Sequence, residues 1–559
     1  MGTETLEDRL IEMIDAALVR ARVSGRLSQV AKARFIVEPP KDPAHGDYAT
    51  NVALVMARDE GKPARDVAAI IKGELVASDE FSEVNVGGPG FINFRMAAKF
   101  WQSELRRAAD AGESFFLPKV GQGKKAQVEF LSANPTGPLT VGHGRNAVLG
   151  DTIARLYEAT GFEVTREYYF NNGGRQMKLL GASVRARYLE ALGEKASFPE
   201  EGYQGQYIRD IAAGLVARHG GALRDQTELE PFRAAAEEAI FADIHRTCER
   251  LKIRFDVYTN ELDLIAQGKV ARVLAELERR GLLVERDGAV WLRGEPLGLS
   301  KDEVLIRSGP DREPTYRTPD IAYHIDKLAR GFDLVVGVFG ADHIAEHKTV
   351  ITVLKALDLN IAPIRTVIYQ FVTLTRAGQK VKMSTRKANY VTLDELIDEV
   401  GVDVVRFFFL LRKSDSHLDF DLELATRQAP ENPVFYVQYA HARLASVFRE
   451  ARKAGLALPE GPEEVKLELL SEEEIGLGKR ILRFPELIIS CVEELEPHRL
   501  PFYLIELAAE FHRYYNKPVN RIIGVQTELS RARLFLAGLI KRTLVHGLTL
   551  LGVEAPERM

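Results

Sequence analysis

Cysteine is scarce in this sequence, where only Cys248 and Cys491 occur, far apart and in no CxxC pattern. Neither a disulfide framework nor a cysteine-rich zinc site is therefore expected. No apolar run approaches the roughly 20 residues that a membrane-crossing helix needs. The acidic start, residues 1–8, lacks the basic-then-apolar order of a secretory signal. These absences predict a cytoplasmic protein that holds no zinc and crosses no membrane.

A strong charge of either sign is also missing. The formal net charge is −5, with 28% charged and 46% hydrophobic residues, which is ordinary for a globular protein. Bulk charge therefore does not indicate a nucleic-acid partner, although a local basic face would be enough for one. With 559 residues the chain is too long for one hydrophobic core, so about three domains are expected.

Hydrophobic periodicity divides the chain into three regions. Residues 1–115 combine helical patterns with short β-like runs, which predicts a small α+β domain. Residues 119–430 alternate strands and helices, which predicts an α/β core with a Rossmann-type parallel sheet and a helical insertion at about 179–254. Residues 431–559 carry helical periodicity almost throughout, which predicts an all-α C-terminal domain. Helices are predicted at 6–22, 64–77, 143–160, 434–454, 475–495, 501–516 and 529–551, and strands at 83–86, 91–95, 126–131, 162–169, 334–338 and 366–374.

The first segment that carries chemistry is the Gly/Pro loop between the predicted strand 126–131 and the helix after it. Two prolines and Gly137 disfavour helix until about Val141. Gly142 and Gly144 then let a ligand lie close to the backbone at the helix start, where unpaired amides and the positive dipole end suit a triphosphate. His143 adds a side-chain donor. Taken alone, the segment is equally compatible with a Gly/Pro turn that ends in a capping histidine.

The second segment is the cationic loop at residues 380–389, which follows the predicted strand 366–374. Compact cations on a loop could neutralise the charge that develops on a pyrophosphate leaving group. A basic loop is more often solvated surface. This segment therefore indicates phosphate chemistry only in combination with the Gly/Pro loop and the helix that carry His143. Lys382 follows His143 by about 240 positions.

Together the two segments resemble the HIGH and KMSKS signatures of class I aminoacyl-tRNA synthetases. Thr140 stands at the first histidine position, where its hydroxyl can donate a hydrogen bond to a phosphate oxygen but carries no charge. Thr385 and Arg386 stand at the second lysine and final serine positions. The resemblance implies catalytic roles for Thr140, His143, Lys382 and Arg386, and ATP binding, with Mg²⁺ on the nucleotide, by Gly142, His143, Gly144, Lys382, Met383 and Ser384. The HIGH-like segment comprises Ala133, Asn134, Pro135, Thr136, Gly137, Pro138, Leu139, Thr140, Val141, Gly142 and His143.

The resemblance narrows to the bacterial arginyl-tRNA synthetase family and covers nearly the whole chain. It is carried by residues 45–51, 167–176, 340–343 and 555–559. It implies an arginine–tRNA ligase that makes arginyl-adenylate from arginine and ATP and transfers the arginyl group to the terminal adenosine of tRNA(Arg). The N-terminal domain would contact the tRNA elbow, the C-terminal domain would be a DALR anticodon-binding domain, and the enzyme would be a monomer.

Arginine presents five donors on a permanently charged planar group, so a selective pocket needs carboxylates. By resemblance, Asn134 contacts the substrate's α-amino end, Glu261 accepts from the guanidinium, Tyr316 forms an aromatic wall and Asp320 is the second carboxylate. Weaker candidates are Asn172, Asp342 and His343.

Aromatic and cationic side chains at the start of the C-terminal domain suit unpaired bases and phosphates. The candidate RNA-binding residues are Tyr436, Gln438, Tyr439, Arg443 and Met559. Two other interpretations stay open. A nucleotidyltransferase for small molecules would share the Gly-His turn but would have no use for the flanking domains. A catalytically inactive tRNA-binding paralogue is suggested only by Thr140 and Thr385.

Overall fold

The computed structural model describes residues 5–28, 34–75, 78–309, 312–381, 391–459 and 461–559. The N-terminal part is the predicted α+β domain, with an antiparallel sheet in the order β1-β2-β4-β3. The glycine-rich turn makes the β3–β4 hairpin possible, because Gly88 and Gly90 take positive φ angles of 50° and 140°. The elements are α1 (Leu6–Val23), β1 (Val37–Glu38), β2 (Tyr48–Thr50), α2 (Val52–Glu60), α3 (Ala64–Leu75), β3 (Phe81–Gly87), β4 (Phe91–Met96), α4 (Ala98–Ala111) and α5 (Glu113–Phe116).

The middle part contains the predicted parallel sheet. Its first stretch comprises β5 (Lys125–Glu129), α6 (Val141–Ala159), β6 (Glu163–Phe170), α7 (Gly174–Ala191), α8 (Gln206–His219), α9 (Glu230–Arg250) and β7 (Val257–Asn260). Helices α7 to α9 therefore lie between two neighbouring strands. The sheet is completed by β11 (Leu334–Gly340) and β12 (Ile364–Tyr369), in the order β12-β11-β5-β6-β7 with every pair parallel. Ligands of such sheets bind at the carboxyl ends of the strands.

A second stretch of the middle part was not predicted. After β7 the chain forms α10 (Glu261–Ala266), α11 (Lys269–Arg279) and a small antiparallel sheet of β8 (Leu283–Arg286), β9 (Ala289–Leu292) and β10 (Glu303–Ile306). The remaining elements are α12 (Arg317–Ala329), α13 (Ile344–Ala356), β13 (Val372–Arg376), β14 (Gln379–Lys380), α14 (Leu393–Val400), α15 (Val402–Phe409), β15 (Leu418–Asp421) and α16 (Leu422–Thr426).

The single strand predicted at 366–374 is wrong, because the chain divides there into β12 and β13, which belong to different sheets. The break falls at Gln370. Its N–H donates to the Ser414 carbonyl oxygen over 2.9 Å, and its own carbonyl oxygen accepts from the buried guanidinium of Arg145 over 2.6 Å. Since these partners replace the sheet's hydrogen bonds, the strand direction changes there.

The C-terminal part is helical, as predicted, with α17 (Pro433–Lys453), α18 (Glu472–Leu482), α19 (Phe484–Glu493), α20 (Arg499–Tyr515) and α21 (Thr527–Leu551). The helix predicted at 475–495 is two helices, because Pro485 starts a new one at α19. Helix α21 is long and apolar enough to cross a membrane, yet 67% of its most apolar 18-residue window is buried inside the protein. It is therefore the core helix of this domain.

The His-Gly-Asp-Tyr motif of the N-terminal domain faces the C-terminal helices. Asp47 accepts from the Met96 N–H over 2.9 Å and from the Lys479 ammonium over 2.7 Å. The fully buried Tyr48 ring lies 5.7 Å from the Arg483 guanidinium carbon. These contacts assign Asp47 and Tyr48 to the docking of the N-terminal domain on the C-terminal helices.

Arg406 joins the C-terminal ends of two helices to the middle of a third inside the protein. Its fully buried guanidinium donates to the carbonyl oxygens of Leu251 and Leu551, both over 2.7 Å, and to Asp151 Oδ2 over 2.6 Å. Leu251 follows α9, Leu551 ends α21 and Asp151 lies in α6. A buried ion that loses its partner costs several kcal/mol.

We expect Arg406→Met to lower the free energy of unfolding by about 3 kcal/mol, because one carboxylate and two carbonyl groups lose their buried donor. Urea unfolding followed by circular dichroism measures it. Arg412→Met, a change at an exposed arginine nearby, is the control and should leave the unfolding free energy nearly unchanged. Equal stability of the two variants would contradict the role given to Arg406.

Candidate active site

The loop between β5 and α6 is held in a strained course. Leu131 and Ser132 take positive φ angles of 67° and 45°, which cost energy in residues other than glycine. Asn146 of α6 holds this turn: its Oδ1 accepts from the Leu131 N–H over 2.6 Å, and its Nδ2 donates to the Val338 carbonyl oxygen over 3.0 Å. β5 therefore ends at Glu129, two residues before the predicted end, and the loop passes over the carboxyl ends of the sheet.

His143 lies in the first turn of α6, and its hydrogen bond fixes its tautomer. The Thr140 backbone N–H donates to His143 Nδ1 over 3.1 Å, so Nδ1 is unprotonated and Nε2 carries the hydrogen. Burial lowers the pKa of His143 to about 4, so the ring is neutral near pH 7. Such a neutral ring, whose Nε2–H meets no acceptor among the described residues, could donate a hydrogen bond to a phosphate oxygen but would carry no positive charge.

Lys382, Met383, Ser384 and Arg386 lie outside the described residues, but the chain on both sides of them is placed. Before them, the Val381 N–H donates to the Leu374 carbonyl oxygen over 2.9 Å. After them, Thr392 forms a β-bridge with Thr140, and the Leu393 N–H donates to the Leu139 carbonyl oxygen over 2.8 Å. The segment after the cationic loop (residues 380–389) is thus hydrogen-bonded to the residues at the N-cap of α6.

The two glycines of the α6 turn differ in what surrounds them. Among the described residues, a Cβ at Gly142 would meet only Thr140 Oγ1, at 3.8 Å, so with respect to them its surface is open. A Cβ at Gly144 would lie 2.6 Å from Leu393 and 2.9 Å from Phe409. Packing against these two side chains is enough to require glycine at 144, whereas the open surface at Gly142 is the one that leaves room for a ligand.

Glu261 begins α10 at the carboxyl end of β7, where it is only 7% exposed. Its Oε2 accepts from the Tyr169 hydroxyl over 2.9 Å, and its Oε1 accepts from Asn171 Nδ2 over 2.6 Å. Loss of hydration raises its pKa, and the Tyr169 hydrogen bond opposes that shift. No cation pairs with Glu261 among the described residues. Tyr169 and Asn171 were not predicted as site residues, although both lie within the segment 167–176 that carried the family resemblance.

Asp320 of α12 is the second acid in this region. Loss of hydration, and then the charges of Glu261, Glu129 and Glu346, raise its pKa to about 8, against the opposing charge of Lys327. In the part of the chain that the structure describes, no side chain donates a hydrogen bond to its carboxyl group. Asp320 and Glu261 are therefore two acids, close enough for their charges to interact, that form no ion pair with any described cation.

Two neighbouring acids are already neutralised, and both of their partners come from α12. Lys327 Nζ donates to Glu129 Oε2 over 2.7 Å, and Arg330 Nη2 donates to Glu167 Oε2 over 2.7 Å. The carboxyl ends of β5 and β6 thus contribute no net charge. Glu261 and Asp320, which we call the acid pocket, have no such ion-pair partner among the described residues.

Asn134, the candidate for the substrate's α-amino end, lies next to this pocket. Its Oδ1 accepts from the Asn171 N–H over 2.9 Å, and its Nδ2 lies 3.4 Å from Gln176 Oε1. Asn134 and Glu261 therefore share Asn171 as a neighbour. Tyr316 is 53% exposed immediately before α12. Burial, and to a smaller degree the nearby Tyr316, raises the pKa of Tyr203.

The weaker candidates lie elsewhere. Asn172 donates from Nδ2 to Glu237 Oε1 over 2.7 Å, away from Glu261. His343 Nδ1 lies 3.0 Å from Glu346 Oε2, and the Asp342 and His343 side chains are 59% and 57% exposed. The structure brings none of the three into the acid pocket. No group of three or more His, Cys, Asp or Glu side chains is arranged for a metal ion among the described residues.

If arginine is the ligand, as the family resemblance implies, its binding should depend on pH. The raised pKa of Asp320 leaves this residue mostly protonated at neutral pH, while a guanidinium needs its ionised form. We expect the KM for arginine to fall about thirtyfold from about pH 6.5 to about pH 9 and then to level off. Initial rates of charging at saturating ATP and tRNA measure it. Asp320→Asn should flatten the profile, and an unchanged profile in that variant would place the titration elsewhere.

The C-terminal candidates divide into two groups. Tyr436, Tyr439 and Arg443 lie on successive turns of α17, and we call them the α17 face. Arg443 Nη2 donates to the Tyr439 hydroxyl over 2.7 Å. Gln438 instead donates to Asp403 Oδ2 over 2.8 Å and to the Glu554 carbonyl oxygen over 3.0 Å, so it ties α17 to the core and the C-terminal segment. Met559 is 53% exposed.

Comparison with known proteins agrees with this architecture. Three family models match: "Arginyl tRNA synthetase N terminal domain" over residues 8–96, "tRNA synthetases class I (R), catalytic domain" over 112–406, and "DALR anticodon binding domain" over 437–559. An arginine–tRNA ligase of Desulfotalea psychrophila is 47% identical over 555 residues, covering 99% of this chain and 100% of the relative. One of Salinibacter ruber is 48% identical over 544 residues, covering 94% and 95%. The solved Thermus thermophilus arginyl-tRNA synthetase has a TM-score of 0.74 at 25% identity, covering 99% of this chain and 100% of that one.

Proposed function

The chain belongs to the class I arginyl-tRNA synthetases, and from that premise we propose how its residues charge tRNA(Arg) with arginine. A carboxylate oxygen of arginine attacks the α-phosphorus of MgATP, and pyrophosphate leaves. A ribose hydroxyl of the terminal adenosine then attacks the carbonyl carbon of arginyl-adenylate, and AMP leaves. The protein supplies position and charge neutralisation and forms no covalent bond to the substrate.

The observation that carries the proposal is the pair of acids, Glu261 and Asp320, for which the described residues supply no ion-pair partner. Lys327 pairs with Glu129 and Arg330 pairs with Glu167. A guanidinium that binds here therefore meets Glu261 and Asp320, which have no ion-pair partner among the described residues, and Asp320 must lose its proton to take part. A guanidinium satisfies both with a planar set of donors, whereas an ammonium reaches fewer acceptors at once. Tyr169 and Asn171 hold Glu261 in place for that contact.

We assign the binding of arginine's α-amino group and of the ATP phosphates to the HIGH-like segment. Asn134 would accept from the α-amino group of arginine, since it adjoins the acid pocket. The open surface at Gly142 and the Nε2–H of His143 would receive the triphosphate at the N-terminus of α6. Thr140 then contributes mainly its backbone N–H, which orients His143.

Lys382 is assigned to the departing pyrophosphate. We expect Lys382→Ala to slow arginine activation about a hundredfold while tRNA affinity stays nearly unchanged, because the lost charge acts on the transition state. Pyrophosphate exchange and a tRNA filter-binding assay measure the two effects. Lys380→Ala, two residues earlier on β14, is the matched control. A large loss of tRNA binding in the Lys382 variant would refute this role.

Several finer assignments are part of the proposal. Arg386, Met383 and Ser384 would complete the ATP-binding loop, and the α17 face with Met559 would contact tRNA. We propose a cytoplasmic monomer without zinc, with Mg²⁺ carried in by ATP, and domain limits at 1–115, 119–430 and 431–559. Activation is expected to need bound tRNA.

A charging assay tests the function directly. Purified full-length protein is incubated with MgATP, tRNA(Arg) and radiolabelled arginine, lysine, glutamate or cysteine in parallel. The proposal predicts labelled tRNA with arginine alone. Charging with any of the other three in place of arginine would refute the specificity, and a nucleotidyltransferase for small molecules would label no tRNA at all.

A further inference from the structure

His512 of α20 is surrounded by the α17 face. It is 6% exposed, its ring centroid lies 4.7 Å from that of Tyr436, and it stacks on Tyr439 at 5.5 Å with an angle of 22°. Arg443 lies against the same ring, with its Nη1 3.2 Å from His512 Nδ1. One imidazole thus contacts all three residues of the α17 face.

The partners of His512 fix its tautomer. A guanidinium can only donate, so Nδ1 accepts from Arg443 and is unprotonated. A carbonyl oxygen can only accept, so Nε2 carries the hydrogen and donates to the Tyr436 carbonyl oxygen over 3.3 Å. Both contacts require the same neutral form. Burial, and then the positive charge of Arg443, lower the pKa of His512, which favours that form.

Contacts with His512, Asn516 and Tyr439 orient the Arg443 guanidinium and leave some of its N–H donors without an acceptor among the described residues. Its Nη1 donates to His512 Nδ1 and to Asn516 Oδ1, the latter over 3.2 Å, and its Nη2 donates once to Tyr439. Of the five N–H donors of a guanidinium, the Nε–H and one on Nη2 then find no acceptor among the described residues. Tyr439 also lies beneath the guanidinium, 4.5 Å from its carbon. Arg443 is therefore held rigidly while two donors remain for a phosphate or a base edge.

We propose that His512 is a positioning residue for tRNA binding, which holds Arg443 and the Tyr436 and Tyr439 rings in the arrangement that receives an unpaired nucleotide of tRNA(Arg). This inference rests on the proposed RNA contact of the α17 face and adds a residue from another helix to it. Pre-orienting a long side chain removes the entropy that binding would otherwise cost.

The test compares steady-state charging by the full-length His512→Ala, His512→Gln and Arg443→Ala variants, with KM measured for tRNA, arginine and ATP. Glutamine can accept from Arg443 with one atom and donate to the Tyr436 carbonyl with another, so it is the conservative replacement. His498→Gln is the matched control, since it changes a histidine at the other end of α20.

We expect Arg443→Ala and His512→Ala each to raise the KM for tRNA about tenfold, with kcat and the KM values for arginine and ATP unchanged. His512→Gln should stay within about threefold of the unmodified protein, and His498→Gln within about twofold. A tRNA KM that rises in Arg443→Ala but not in His512→Ala would overturn the inference and leave the α17 face in place. No effect of Arg443→Ala would overturn the face itself. Equal losses in every parameter for both His512 variants, with a lower melting temperature, would reduce His512 to a packing residue and also overturn the inference.

Discussion

Asp320→Asn should raise the KM for arginine about a thousandfold and leave the KM for ATP close to its original value. Asparagine keeps the size of the side chain but removes the negative charge that Asp320 presents to a guanidinium once it is ionised. A buried ion pair that loses one partner typically costs about 3 to 5 kcal/mol, and 4 kcal/mol is about a thousandfold in affinity. The expected loss is large because the guanidinium cannot give up its proton to relieve the mismatch.

Steady-state pyrophosphate exchange with arginine and ATP varied in turn separates the two KM values. Asp326→Asn is the matched control, because Asp326 lies on the same helix and pairs with Lys269, away from Glu261. It should change the KM for arginine by less than about threefold. If the two variants behave alike, Asp320 is a structural acid and the pocket has been assigned to the wrong residues.

His143→Ala should lower the rate of arginine activation at saturating substrates by about a factor of 10² to 10³, the usual loss when one donor to a developing charge is removed. The KM for arginine should change little, since the acid pocket is intact. His219→Ala, at an exposed histidine after α8, is the control. Pyrophosphate exchange at saturating arginine and ATP measures the effect.

The low pKa of His143 allows a second, independent test of its role. With a pKa near 4, its ring stays neutral from about pH 5.5 to about pH 8, so the maximal exchange rate should show no titration of this residue. An activity that falls as a group with a pKa near 6.5 loses its proton would instead mean that His143 acts as a cation. That result would contradict the neutral-donor role given to the HIGH-like turn.

Local patterns were sufficient to predict most of the fold. Alternating strands and helices predicted the parallel sheet, and the order of strand, Gly/Pro loop and helix predicted the turn that carries His143. The division of 366–374 into two strands was missed, because it depends on Arg145 and on the Ser414 carbonyl, both distant in sequence. The sheet of β8, β9 and β10 was also missed, since short strands of four residues give weak period-two signals.

For the site, as for the fold, local motifs predicted part of the result, and contacts between residues distant in sequence determined the rest. Glu261 and Asp320 were predicted from motif resemblance, but the sequence gives no reason to count them as the two free acids at this edge. That count depends on Lys327 reaching Glu129, 198 positions away, and on Arg330 reaching Glu167. Asn171 lay in a segment already singled out and could have been found there. The contact of His512 with the α17 face joins two helices that are distant in sequence, so it could not have been predicted from local patterns.

The central claim is that the acid pocket and the α6 turn together activate arginine for transfer to tRNA. Pyrophosphate exchange into ATP, run with arginine in the presence and absence of tRNA(Arg), tests it most directly. The account predicts exchange that requires arginine and is strongly stimulated by the tRNA. Absence of exchange in both conditions, from protein that still binds tRNA(Arg), would show a tRNA-binding protein without synthetase activity and would contradict it.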